Sequence, residues 1–97
     1  MKNKYEVYTV GSDVYGISEH YDKDGKLTHH FAIYPARVVG AYIELNRKTN
    51  KSEIFYMLCT PKGEDWGAEV KAEHVNDSFD ELAQYAKVIW DEYCNTM

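Results

Sequence analysis

Four histidines are the side chains of this chain best suited to chemistry near neutral pH, and three of them, His20, His29 and His30, crowd around one turn. An imidazole can ligate a metal or move a proton, so placement decides which of these is open to it. The turn is Asp22-Lys23-Asp24-Gly25-Lys26, between two strand-like runs. A two-residue Asp24-Gly25 turn would pair His20 with His29 and mix polar with apolar side chains on both faces. A type I turn with Gly25 in a left-handed bulge pairs residue 22 with residue 26 instead. Tyr21 then faces Leu27, Ile17 faces Phe31 and Tyr15 faces Ile33. One face becomes almost wholly apolar, which favours this register. His20 and His30 become a diagonal pair on the outer face, roughly 7–8 Å apart at Cα. They are weak candidates for a metal site, with His74 as a third ligand. No ligands recur at zinc-finger spacing and no cysteine lies near them in sequence, so exposed strand histidines are the stronger expectation and no cofactor is implied. In the same register Glu19 faces His29. That pair suits acid–base work, although a satisfied polar pair at the sheet margin is the simpler reading.

Other chemistry-bearing patterns fail on inspection. Setting Gly25 at the sixth position of a calcium loop puts Phe31 at the twelfth, where an acidic ligand is required. There is no phosphate-binding glycine loop, no Gly-x-Ser-x-Gly elbow and no His-Glu-x-x-His. Cys59 and Cys94 are too few for a disulfide framework and read as small buried hydrophobes. This weighs against an enzyme without excluding one.

Two surfaces remain as binding candidates. The first is acidic. Residues 1–59 carry 8 Lys/Arg and 7 Asp/Glu, whereas residues 60–97 carry 3 and 9. Asp80 and Glu81 are explained by a helix N-terminus, which leaves Glu64, Asp65, Glu69, Glu73, Asp77, Asp91 and Glu92. They form either a solvated face that keeps a small protein soluble or a surface that imitates a phosphate backbone or engages a basic protein groove. The second is aromatic and apolar: Tyr42, Phe55 and Met57 on a hairpin, and Trp66 in a loop beside glycines. Trp is enriched at binding hot spots, although a loop Trp more often folds back over a core.

The elements that position these residues follow from periodicity. Phe79, Leu82, Ala83, Ala86, Ile89, Trp90 and Tyr93 make one helical stripe, predicting a C-terminal helix over about 79–95. Ser78 and Glu81 have capping-box spacing. Each larger stripe residue is expected to contribute roughly 1.5–3 kcal/mol by burial, so the helix needs a sheet beneath it. Residues 4–10 and 14–21 are strand-like, and Pro35 is expected to break the ladder after Tyr34. A further hairpin, 36–46 and 51–59, turns through Arg47-Lys48-Thr49-Asn50, with Asn50 at positive φ. If Asn46 pairs with Lys51, one face holds Val39, Ala41, Ile43, Ile54, Tyr56 and Leu58. The other holds Val38, Tyr42, Phe55, Met57 and Cys59. Residues 60–77 are too long for a bare loop, and 68–75 alternates as a short edge strand, with a short helix as the alternative.

The predicted architecture is therefore α+β: an antiparallel hairpin meander of five to six strands with one C-terminal helix on its apolar face, in a single domain over 1–97. The longest apolar run, Ile54–Cys59, is too short to span a bilayer, and the polar N-terminus lacks a signal-peptide stretch, so a cytoplasmic location is expected. Basic residues sit mostly at termini and turns and the net charge is −5, which argues against direct nucleic-acid binding. The nine tyrosines supply both strand formers and interface groups. These properties are of the type seen in small phage or mobile-element inhibitors of nucleic-acid-handling proteins. The leading expectation is a non-catalytic protein-binding module whose partner has a basic surface. The alternatives are a homodimer formed through the apolar sheet face, and a small ligand-binding or enzymatic α+β domain with a Tyr- and Phe-lined pocket.

Overall fold

A strand of 20 residues dominates the chain. In a computed structural model, which describes residues 6–21, 23–24 and 27–95, β2 runs unbroken over Leu27–Asn46. Straight, it would extend roughly 66 Å, yet the molecule measures 37 × 37 × 27 Å. The strand therefore bends hard, and its two halves serve different neighbours. The first half pairs with β1 (Asp13–Tyr21), the second with β3 (Lys51–Cys59). β4 (Asp65–Lys71) borders β3 and the two-residue β5 (Val75–Asn76) borders β1, giving one antiparallel sheet in the order β4-β3-β2-β1-β5. Helix α1 follows over Phe79–Asn95. The α+β architecture with one antiparallel sheet and a C-terminal helix is as the sequence predicts.

The sheet curls on itself. Laid flat, five strands hold their outer edges roughly 19 Å apart, whereas the step from Lys71 to Val75, through the 3-10 turn Ala72–His74, reaches at most about 14 Å. Its inner face carries Val14, Ala36, Val38, Tyr56, Leu58, Val70 and Val75, all buried in one core. Trp66, from the β4 edge, reaches across to β1: a Cβ on Gly16 would stand 2.8 Å from the Trp66 ring tip. That position accommodates glycine because the indole fills the space of a side chain.

Several expectations are corrected. Pro35 does not end a strand; it pairs with Tyr15 inside β2. Val38 donates its N–H to Ser12 O, on the β1 side, so by alternation position 35 points its missing N–H the other way. There β3 pairing has not begun, because it starts at Arg37. Residues 6–10 are not a strand, and residues 4–5 lie outside the described set. The Tyr8 amide donates to the Tyr56 hydroxyl at 2.9 Å, so a side chain takes the bond a ladder would offer. Segment 60–77 crosses from one sheet edge to the other as β4, a 3-10 turn and β5, combining the strand and helix readings.

The two hairpin registers fare differently. Asn46 pairs with Lys51 and Asn50 has φ 54°, both as expected. A bulge at Val39 exchanges the two valines between faces: Val38 is 1% exposed and Val39 is 53% exposed. Around the first hairpin Tyr21 pairs with Leu27 as predicted, but a bulge between Glu19 and Tyr21 sets Ile17 opposite Ile33 and Tyr15 opposite Pro35. The slip is two residues, an even number, so Tyr15 and Ile17 keep the face that the predicted register gives them.

α1 lies on the outside of the curl, against β1, β2 and β5. It covers the outer face that carries Tyr15 and Ile17, with Tyr15 and Phe79 edge to face at 5.5 Å. Ser78 caps it through a bond to the Glu81 amide at 3.3 Å. The Ser78 amide donates to Asn76 Oδ1 at 2.8 Å, which ties Asn76 to the helix start. The Glu81 carboxylate accepts from the buried Asn76 amide at 3.2 Å. Among the stripe residues whose side chains are described, only Leu82 is fully buried, and Phe79 and, beside the stripe, Val88 are about half exposed. Burial along the helix is thus far below the stripe-wide expectation. Cys94, expected to be buried, is exposed near the end of the helix.

Candidate protein-binding face

The outer surface beyond the helix is built by cross-strand pairs of β2, β3 and β4. Tyr42 is opposite Phe55, Glu44 opposite Glu53 and Gly40 opposite Met57. On the other side of β3, Lys71 is opposite Phe55, Glu69 opposite Met57 and Asp65 opposite Cys59. Alternation along the pleat puts all these side chains on the outer side of the curl, since their neighbours Ile54, Tyr56 and Leu58 fill the core. The Tyr42 and Phe55 rings stack with centroids 5.4 Å apart and planes at 19°. Tyr42, Met57 and Val39 are exposed, and Phe55 is half-buried.

Glu44, Glu53 and Glu69 flank this apolar centre, and Lys71, opposite Phe55, is the one cation placed beside them by the described strand pairings. Partial desolvation, with Glu69 and then Glu44, pushes the Tyr42 phenol above its ordinary pKa. Glu44 and Glu53 stand directly opposite one another, an arrangement that weakens a sheet. Arg37 at the margin is held by Asp13 at 3.3 Å. Beside Met57 a groove of about 380 Å³ opens between β3 and β4, with Asp65 and Glu69 among its lining residues.

The predicted acidic residues do not form one surface. Asp65 and Glu69 join Tyr42, Phe55 and Met57, and Glu64 sits in the adjoining turn, where its amide donates to Thr60 Oγ1 at 3.1 Å. Asp77 lies elsewhere, tied to Tyr8: its amide donates to the Tyr8 hydroxyl at 3.2 Å. Glu73 belongs to the 3-10 turn, and Asp91 and Glu92 to the last turns of α1. Trp66 is half-buried, packed on the core and edge-on to Tyr34 at 6.4 Å. The charge count by chain halves missed Glu44 and Glu53. The Asn46–Lys51 register already implies their place beside Tyr42 and Phe55.

The histidine chemistry also falls elsewhere. Glu19 pairs across the ladder with Phe31, not His29. The imidazole beside it is His74, with Nδ1 3.6 Å from Glu19 Oε1 and both side chains mostly buried. Tyr85 of α1 lies 6.0 Å from the His74 ring. Burial lowers the His74 pKa and is the largest influence; Glu19 and Glu73 pull it back up and Lys71 lowers it further. The imidazole is therefore neutral at pH 7. Nδ1 and Oε1 are too far apart for a hydrogen bond. The side chains of His20, His29 and His30, and with them the weak metal candidate His20/His30, lie outside the described set. Among the described residues no group of three or more His, Cys, Asp and Glu is placed to hold a metal ion. Among the same residues no helix is long and apolar enough to cross a membrane. The chain matches no protein-family model, no curated protein and no solved structure.

Proposed function

We propose that this protein is a non-catalytic protein-binding module, that it binds through the outer face of β2, β3 and β4, and that its partner carries basic side chains. One observation carries the reading: the Tyr42–Phe55 stack is uncovered and sits between the Glu44–Glu53 pair and Glu69. An aromatic centre with a charged rim is the anatomy of a binding surface. A like-charge cross-strand pair costs the sheet stability, and a basic partner would relieve that cost. A role as a small cytoplasmic inhibitor of a nucleic-acid-handling protein agrees with this charge, since such proteins present basic grooves.

Tagged protein and a Tyr42→Ser variant would be compared in pull-downs from lysate of the source or its host, with nuclease present and at low and high salt. The expected result is a stoichiometric partner that wild type loses at high salt and the variant fails to capture. Equal capture by both would refute the face as the contact. A homodimer through the same face is the second reading, favoured by the exposed Val39, Tyr42 and Met57. It requires Glu44, Glu53 and Glu69 to approach their own copies. Light scattering decides it: a dimer dispersed by Phe55→Glu would establish self-association, and a monomer in both would end it.

A further inference from the structure

The groove beside the aromatic stack has a shape and lining of its own, and these specify a side chain. It forms where regular pairing fails twice: β2 bulges at Val39, and the β3–β4 register shifts between Met57 and Cys59. Gly67, at φ 82°, and Ala68 carry no bulk there, so the β4 side is open down to backbone. Val39 and Met57, both substantially exposed, give it apolar walls. Asp65 and Glu69 are its charged lining residues, and no Lys or Arg among the described residues lines it. The Gly67 amide donates to Asp65 Oδ1 at 2.7 Å, which fixes the carboxylate and leaves it further acceptor capacity. Apolar walls with two carboxylates complement a long aliphatic stem that ends in a cation.

Resting on the reading of this face as a protein-binding surface, we infer that the groove receives an arginine side chain of the partner. The stem lies along Val39 and Met57, and the guanidinium is bound by Asp65 and Glu69. Arginine fits better than lysine on physical grounds. Its head is planar, offers five donors to two carboxylates, and sheds water more readily than an ammonium. Such a contact adds direction to the general charge attraction: it sets how a basic segment lies beside the Tyr42–Phe55 stack.

The test is an amide NMR titration of the full chain with a hexa-arginine peptide, a hexa-lysine peptide and a Gly-Ser peptide of equal length, at physiological salt. The expected result is saturable shifts centred on Gly63, Gly67 and Ala68 with the arginine peptide, weaker binding of the lysine peptide, and none of the neutral one. Glu69→Gln, an exposed isosteric change, is expected to weaken arginine binding about tenfold, the loss of one hydrogen bond to a charged group. Met57→Ala is expected to weaken it by removing a wall. Shifts spread over the acidic residues of α1, or an unchanged affinity in Glu69→Gln, would overturn the assignment. The same shifts appearing in the protein alone as its concentration rises would assign the groove to a second copy and also overturn it. If the arginine peptide fails while lysate capture still depends on Tyr42, the groove assignment falls and the binding face stands. If capture is also indifferent to Tyr42, both fall.

Discussion

The outward face of this sheet is apolar in two places and covered in only one. Over β1 and the first half of β2, α1 lies on it and Ile17 is 3% exposed. Over the second half of β2, with β3 and β4, nothing in the described chain lies on it and Met57 is 42% exposed. The two regions differ in their charge as well. In and beside the covered one, carboxylates have internal tasks: Glu81 receives the Asn76 amide, Asp77 anchors Tyr8, and the mostly buried Glu19 lies against His74. The open one sets Glu44, Glu53 and Glu69 beside aromatic rings, with no such task evident for any of them among the described residues. Carboxylates in the first region are explained by the fold. Those in the second are the groups that the proposed basic partner would engage.

Substitutions break this comparison to different degrees. Leu82→Ala empties a fully buried position of α1 and is expected to cost about 2–5 kcal/mol in chemical denaturation. The equivalent test of the open face, Val39→Thr, should stay within about 0.5 kcal/mol. Gly16→Ala drives a Cβ into Trp66 at 2.8 Å, and because an indole packed on the core cannot swing aside, a loss of about 1–3 kcal/mol is expected by the same assay.

The third prediction concerns pH in the covered region. The folded-state pKa of His74 lies below its ordinary 6.5, so the unfolded chain takes up the proton first. The His74 contribution to stability is full above pH about 6.5 and declines as the pH falls from there toward the folded-state value. A denaturation series on wild type and His74→Gln should show the variant with the shallower dependence in that window. The smallest effect separates stability from function: Glu44→Gln removes a like-charge pair and should stabilise the fold by about 0.2–1 kcal/mol while weakening partner capture. A variant that gained neither stability nor a binding defect would contradict the account of the open face.

What the sequence could say about this fold followed from local signals. The stripe from Phe79 gave the helix, Ser78 its cap, and Asn46 with Asn50 the register of the β2–β3 hairpin. The curl was out of reach, because it depends on Trp66 meeting Gly16 across the chain. So was the choice between Val38 and Val39. A bulge sends one of two adjacent valines inward, and identical side chains carry no signal as to which. The Glu19–His74 contact, 55 positions apart in sequence, displaced the expected Glu19–His29 pair for the same reason. At the candidate site, Tyr42, Phe55 and Met57 were placed on one face correctly from the hairpin register. That Asp65 and Glu69 would join them, while Asp77 and Glu73 would not, required the position of β4 at the sheet edge.

The most direct test of the open face is amide hydrogen exchange on the protein alone and bound to its captured partner. The account predicts that added protection concentrates in residues 39–44, 53–59 and 65–69, with α1 unchanged. Protection confined to α1, around Asp80 to Glu92, would show that the helix makes the contact and would contradict the account.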